Sequence, residues 1–209
     1  MKYDGILFDL DGTLWNATVS IWESWKLALK DAGDVERPPT VQELEGVMGM
    51  TPETLMKTLY PHLSEERGLE LFERCCQVEN EYLRKNGGIL YDGIEEMLAA
   101  LSKDVPLFIV SNCNDGYISC FLEAHKLEQY FTDWECNGVT GLQKWGNIKL
   151  VVERNHLMSP VYVGDTVIDS DAAQKAGVPF LHAGYGFGKV EGAVSAESPL
   201  KLLELLQNS

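Results

Sequence analysis

Two carboxylates stand close together near the start of the chain, in Phe8-Asp9-Leu10-Asp11-Gly12-Thr13-Leu14. Residues two apart on extended chain project to the same side, so Asp9 and Asp11 can serve one site. Like charges held that close repel, which raises one pKa and costs stability unless a cation lies between them. A divalent metal removes the conflict. Oxygen-only ligands and a phosphate-bearing substrate suit Mg2+, which keeps several waters and takes one or two carboxylates. Gly12 and Thr13 permit a tight turn with exposed amides, a common way of holding an anion.

Val163-Gly164-Asp165-Thr166-Val167-Ile168-Asp169 supplies a further acidic pair. Asp165 could complete the metal shell. Asp169, in the first turn of a following helix, could orient a metal-bound water or pair with a lysine. Ser111-Asn112 offers a hydroxyl and a backbone amide, both suited to a phosphoryl oxygen, and Lys144 would balance the remaining negative charge. Lys149 lies in the same window. Lys144 is favoured because it precedes Gly146-Asn147, read as a helix start, and so sits in a loop, whereas Lys149 falls inside a helix over Ile148–Glu153.

Such scattered residues need a scaffold that gathers them. Short apolar runs at Ile6–Phe8, Leu107–Val110, Val161–Val163 and Val178–Leu181 alternate with helical patterns, which predicts an α/β fold with a Rossmann-like parallel sheet. The first three runs each lead into a polar residue. In open α/β sheets ligands bind outside the carboxyl ends of the strands, so these endings predict one shared site.

The interval between the first two runs is too long for one crossover helix. Ile21, Trp22, Trp25, Ala28, Leu29 and Ala32 recur at helical spacing and Gly33 marks a stop. Thr40 with Glu43 forms a capping-box pattern, and Thr51-Pro52 places a cap residue before a proline at the first helical position. Ser64 opens a longer pattern through Leu69, Phe72, Cys76 and Tyr82 that ends at Gly87-Gly88. The expectation is a helical cap over 16–88, inserted into a core made of 1–15 and 89–209.

Composition narrows the function classes. Seventeen Lys and Arg against 32 Asp and Glu give a net charge of −15, which repels phosphate backbones and anionic lipid, so nucleic-acid and membrane partners are not expected. No leader-like apolar stretch follows Met1, and no run reaches the length of a membrane span, so a cytoplasmic location is expected. The five cysteines include the adjacent pair Cys75-Cys76 but no Cys-x-x-Cys spacing, and are read as reduced thiols.

Taken in order along the chain, Asp9-x-Asp11, Ser111-Asn112, Lys144 and Gly164-Asp165 with Asp169 resemble the four motifs of the haloacid dehalogenase-like phosphohydrolases. The helical insertion is similar to the small cap of phosphoglycolate phosphatase-like and β-phosphoglucomutase-like members. Many relatives carry Lys-Pro where this chain has Lys144-Trp145. The resemblance implies a phosphoric monoester hydrolase acting on a small phosphorylated metabolite through an aspartyl-phosphate. It makes Asp9 the nucleophile and Asp11 the acid and base, with the Asp11 backbone carbonyl also on the metal. It places Mg2+ on Asp9, Asp11 and Asp165, phosphate on Ser111, Asn112 and Lys144, and Asp169 behind them. A phosphosugar mutase shares all these residues, and a phospho-receiver-like regulatory protein uses a comparable set but needs no cap. The oligomeric state stays open, with a monomer allowed.

The remaining features are read conservatively. Trp22 and Trp25 fit packing within the cap, whereas Trp15 is a candidate wall of the substrate site. His62, His125, His156 and His182 show no metal-ligand spacing, Cys113 fits a small filler beside the phosphate site, and Gly184–Gly188 reads as a loop edging the site. The loop Gly46–Thr51 carries no Arg or Lys. With Met48 and Met50 over the site, it predicts a neutral or partly apolar leaving group in preference to bisphosphates and phosphoglycolate.

Overall fold

The computed structural model describes residues 2–208. In chain order it runs β1 (Gly5–Phe8), β2 (Trp15–Asn16), α1 (Thr18–Ala28), α2 (Val41–Glu45), α3 (Pro52–Leu59), α4 (Glu65–Asn86), β3 (Ile89–Leu90), α5 (Ile94–Leu101) and β4 (Leu107–Ser111). There follow α6 (Tyr117–His125), β5 (Phe131–Cys136), α7 (Asn137–Thr140), α8 (Lys144–Arg154), β6 (Pro160–Gly164), α9 (Val167–Ala176), β7 (Phe180–Ala183), β8 (Ser195–Ala196) and α10 (Pro199–Gln207).

The main sheet has six strands in the order β5-β4-β1-β6-β7-β8. All its pairings are parallel. Parallel strands are covered on both faces, and the side chains alternate accordingly. Leu7, Phe108, Val110 and Tyr162 pack with Ile148, Val151, Ala172 and Ala173 from α8 and α9. Ile6, Phe8, Ile109 and Val163 turn the other way, onto Leu98 of α5, Phe121 of α6 and Leu202 of α10. Each such side chain is worth about 1.5–3 kcal/mol when fully buried, which explains why near-continuous apolar runs read as strands.

The chain leaves β1 for β4 and β5 on one side and returns to β6, β7 and β8 on the other. Strand order therefore reverses at β1, and a crevice opens at the carboxyl ends of β1, β4 and β6. Helices α1 to α4 occupy the stretch between β1 and β4, entered and left through the antiparallel ribbon of β2 and β3, where Trp15 faces Leu90 and Asn16 faces Ile89.

Several expectations shift by a turn. The Thr40–Glu43 capping box is formed, and Ser64 caps α4, which ends at Gly87. Thr51 precedes Pro52 as expected, but its hydroxyl faces Thr54 instead of a backbone amide. Helix α1 stops at Ala28 and not at Gly33; Leu29, Ala32 and Val35 continue as successive tight turns. The strand expected at Val178–Leu181 is Phe180–Ala183, because the Val178 amide still donates to Ala173 at the end of α9 and Pro179 has no amide to give. Helix α8 begins at Lys144, two residues before Gly146, so Lys144 lies in its first turn and not in a loop. Asn147, expected near that start, instead accepts from the Thr140 hydroxyl at 2.7 Å.

Candidate active site

Asp9 follows β1 directly, and its amide donates to the Val163 carbonyl of β6 at 2.8 Å, which sets it beside Asp165. Carboxylate oxygens of Asp9, Asp165 and Asp169 lie within 4.8 Å of one another, and all three residues are buried. Lys144, 3% exposed, reaches into this group from α8. Its Nζ donates to Asp9 Oδ1 at 2.8 Å and to Asp169 Oδ1 at 2.6 Å. Lys149 is exposed, and its ammonium lies over the Trp145 ring, so of the two lysines only Lys144 enters the site.

Asp169 is committed locally. Its Oδ2 accepts from the Thr166 amide at 3.0 Å and the Thr166 hydroxyl at 2.6 Å, closing a capping box at the start of α9. Burial opposes its charge, but Lys144 and Thr166 outweigh that and hold its carboxyl below the ordinary range. Burial likewise disfavours the Lys144 ammonium, yet Asp169 and Asp9 keep it protonated.

The Gly184–Gly188 segment edges the site as expected and orients Asp165. The Phe187 amide donates to Asp165 Oδ2 at 2.7 Å, and the Tyr185 hydroxyl donates to the Thr13 carbonyl at 2.9 Å. A Cβ at Gly186 would collide with the Gly12 carbonyl and the Asp165 side chain, so the close approach requires glycine. His182, assigned no role from sequence, sits beneath, bridging the Ser195 hydroxyl at 3.0 Å and the Asp165 carbonyl at 3.1 Å.

Asp165 Oδ1 is buried without a hydrogen-bond partner. A buried carboxylate oxygen left bare is costly, and an oxygen-only donor set next to it fits a hard dication such as Mg2+. With no cation, burial first, then neighbouring acids, lift Asp9 and Asp165 to about 7, Lys144 pulling Asp9 the other way. The Asp11 carboxylate, expected on the metal, is not one of the clustered acids. Its Oδ1 accepts from the Tyr117 hydroxyl of α6 at 2.8 Å, and burial raises it to about 7 against that hydrogen bond.

Ser111 is buried at the end of β4. Together with Asp9, Asp11 and Asn112 it borders a cavity of about 70 Å3 that Val47, Met48, Gly49 and Met50 also line. The Gly46–Thr51 loop thus faces the site. Trp15 does not: it is fully buried, edge-on to Tyr117, Phe121 and His125, where it packs the ribbon against α6 and forms no substrate wall. Trp25, expected only to pack, lines the cavity and donates its indole N–H to Glu79 of α4 at 2.6 Å. Lys57 is exposed on the far side of α3, in a separate groove. Cys113 is a partly buried filler whose thiol burial pushes well up.

Comparison with known proteins agrees with this geometry. The chain is 26% identical over 220 residues to a phosphoglycolate phosphatase of Pseudomonas savastanoi pv. phaseolicola, covering 97% of this chain and 76% of that protein. It is 28% identical over 211 residues to a 5'-nucleotidase of Pseudomonas aeruginosa, covering 95% and 90%. A crystal structure of a predicted phosphatase from Clostridium acetobutylicum superposes with a TM-score of 0.82 at 25% identity, covering 100% of both chains. The profile of the haloacid dehalogenase-like hydrolases matches residues 6–183, which span the carboxyl ends of β1, β4 and β6, and the chain belongs to that family.

Proposed function

We propose that this hydrolase is a Mg2+-dependent phosphatase that removes phosphate from a small metabolite through an aspartyl-phosphate on Asp9. The observation that carries the reading is the Asp9 carboxylate itself, at the switch point of the sheet, with Lys144 on one oxygen and the bare Asp165 Oδ1 nearby. Asp9 and Asp165, with the Asp11 backbone carbonyl, would hold the metal. Bound there, Mg2+ supplies positive charge against the phosphoryl oxygens.

An Asp9 oxygen attacks phosphorus as the bond to the leaving alcohol breaks, while Lys144 and the Ser111 hydroxyl and Asn112 amide meet the equatorial oxygens. Asp11 gives its proton to the departing oxygen. It then takes a proton from the water that attacks phosphorus and frees Asp9. A carboxyl held near 7 suits both duties at neutral pH. Tyr117 fixes its direction.

Residues 16–88, carrying α1 to α4, act as the cap that excludes water, with the ribbon of β2 and β3 as the connection to the core. Among the described residues no helix is long and apolar enough to cross a membrane, and a cytoplasmic enzyme of this kind fits that. Phosphate release from p-nitrophenyl phosphate, with and without Mg2+ after chelation, tests the proposal. Full activity in the chelated protein overturns the metal assignment, and loss of none of it in Asp9→Asn overturns the nucleophile. A mutase would return an isomerised sugar phosphate and little free phosphate.

A further inference from the structure

The part of the cavity lining that residues 16–88 supply is almost wholly apolar, built from residues such as Ile21, Trp25, Leu44, Met48 and Phe72. One acid interrupts it. Glu79 is 5% exposed, on the inner stripe of α4 with Cys75, Cys76 and Leu83. Its Oε2 accepts from the Trp25 indole at 2.6 Å and its Oε1 from the Asn114 amide at 3.2 Å. Asn114 is itself held by the Asn80 amide at 2.9 Å. Two donors from different elements therefore fix this carboxyl in place, and each oxygen keeps acceptor capacity toward the cavity.

An acid kept in an apolar wall is costly unless something there uses it. The mechanism above gives it no task. Among the described residues lining the cavity there is no Lys, Arg or His, so an anionic leaving group would meet Glu79 and Asp11 with no cation to pair with. The space beside Glu79 is narrow, about 70 Å3 where one water needs about 10–15 Å3, so the second functional group of a short leaving alcohol comes within its reach.

We propose that Glu79 is the specificity-determining residue of the cap, accepting a hydrogen bond from a hydroxyl or ammonium on a small leaving alcohol, in a lining that offers a carboxylate no cation. The inference rests on the phosphatase reading and names its substrate class: phosphomonoesters of small polyols or amino alcohols. Phosphoglycolate, the substrate in the name of the Pseudomonas savastanoi relative, is then a poor substrate of this chain.

Four esters of equal chain length isolate the group in question: 2-hydroxyethyl phosphate, 2-aminoethyl phosphate, ethyl phosphate and phosphoglycolate. For the wild type, kcat/KM for the hydroxyethyl or the aminoethyl ester exceeds that for ethyl phosphate by on the order of 10- to 100-fold, and phosphoglycolate is last. Glu79→Leu brings the two donor-bearing esters down to the ethyl level. Glu79→Gln keeps a hydroxyl preference and loses an ammonium one, which tells the two sources apart. A wild type that turns over phosphoglycolate best overturns the inference without any substitution, as does a Glu79→Leu enzyme whose rates on all four esters change by one common factor. Hydrolysis of p-nitrophenyl phosphate accompanying either result leaves the phosphatase reading standing. Phosphate release from none of the four esters removes both.

Discussion

The Asn112 side-chain amide donates to the Gly49 carbonyl at 2.7 Å, tying the strand end that carries Ser111 to the loop joining α2 and α3. Gly49 takes a positive φ of 78°, and Met48 and Met50 on either side line the cavity. The residue whose backbone amide is proposed to meet the phosphoryl group thus also ties down the loop that lines the cavity.

Asn112→Ala should loosen that loop while leaving the backbone amide available. One neutral hydrogen bond is worth about 0.5–1.5 kcal/mol, so kcat/KM on a natural-sized ester should fall about two- to tenfold, chiefly through KM. Asn112→Asp, which loses the donor and adds a negative charge beside the proposed phosphate site, should lower kcat/KM further. Unchanged steady-state constants in both variants would show that the loop is held by packing alone.

Asp9→Asn should abolish the covalent intermediate. Asp11→Asn should retain phosphoryl transfer from p-nitrophenyl phosphate, whose leaving group needs no proton, and slow release of the phosphoenzyme by on the order of 10² or more. Quench-flow with mass analysis of the aspartyl-phosphate distinguishes the two. Trapping phosphate on another aspartate reassigns the nucleophile.

The sequence made the chemistry more legible than the packing. Asp9, Ser111 and Asp165 announce themselves because each polar residue closes an apolar run, and a parallel sheet brings such endings together whatever lies between. Strand β5 was not anticipated, since Phe131-Thr-Asp-Trp-Glu-Cys136 at the sheet edge carries acids that pair with Arg154 and lacks an apolar run. Strand β8, only Ser195–Ala196, is too short for any pattern. Trp25 and Glu79 were missed for another reason. They are 54 residues apart and meet only when α1 packs on α4. A signal did exist: Glu79 falls in register with Cys75, Cys76 and Leu83, and a charge on the apolar stripe of an amphipathic helix asks for a partner.

Lys144 balances two buried carboxylates at once, so its loss is expected to be structural as well as catalytic. Lys144→Met should destabilise the fold by about 3–5 kcal/mol, because Asp9 and Asp169 then remain buried without their counter-charge. Adding Asp169→Asn should restore part of that stability and none of the activity. Urea unfolding of both single variants and the double variant gives the coupling. Additive effects would mean that the lysine and Asp169 are independent.

Glu79 links specificity to stability through pH. Burial raises its carboxyl to about 8, with Asp11 adding to the rise and the Trp25 indole and Asn114 amide opposing it; an ordinary glutamate titrates near 4.5. The thiols of Cys75 and Cys76, its neighbours on α4, stay protonated through this range because burial pushes them up. The Tyr117 hydroxyl, on α6, is likewise raised out of range, burial again coming first. With no substrate bound, the folded chain therefore holds between 4.5 and about 8 a proton that the unfolded chain has lost and that a bound ammonium would displace, so the contribution of Glu79 to stability is present in acid and declines as pH rises through that window. Glu79→Gln carries no such titration. Measured by urea unfolding without Mg2+, the stability of the wild type minus that of Glu79→Gln should fall by on the order of a few kcal/mol between about pH 5 and about pH 8. Taking the difference cancels most of the titration of Asp9, Asp11 and Asp165, which both proteins share. A difference that stays flat across the window would mean that Glu79 ionises like a solvated glutamate, and its carboxyl would then face water and not a closed cavity.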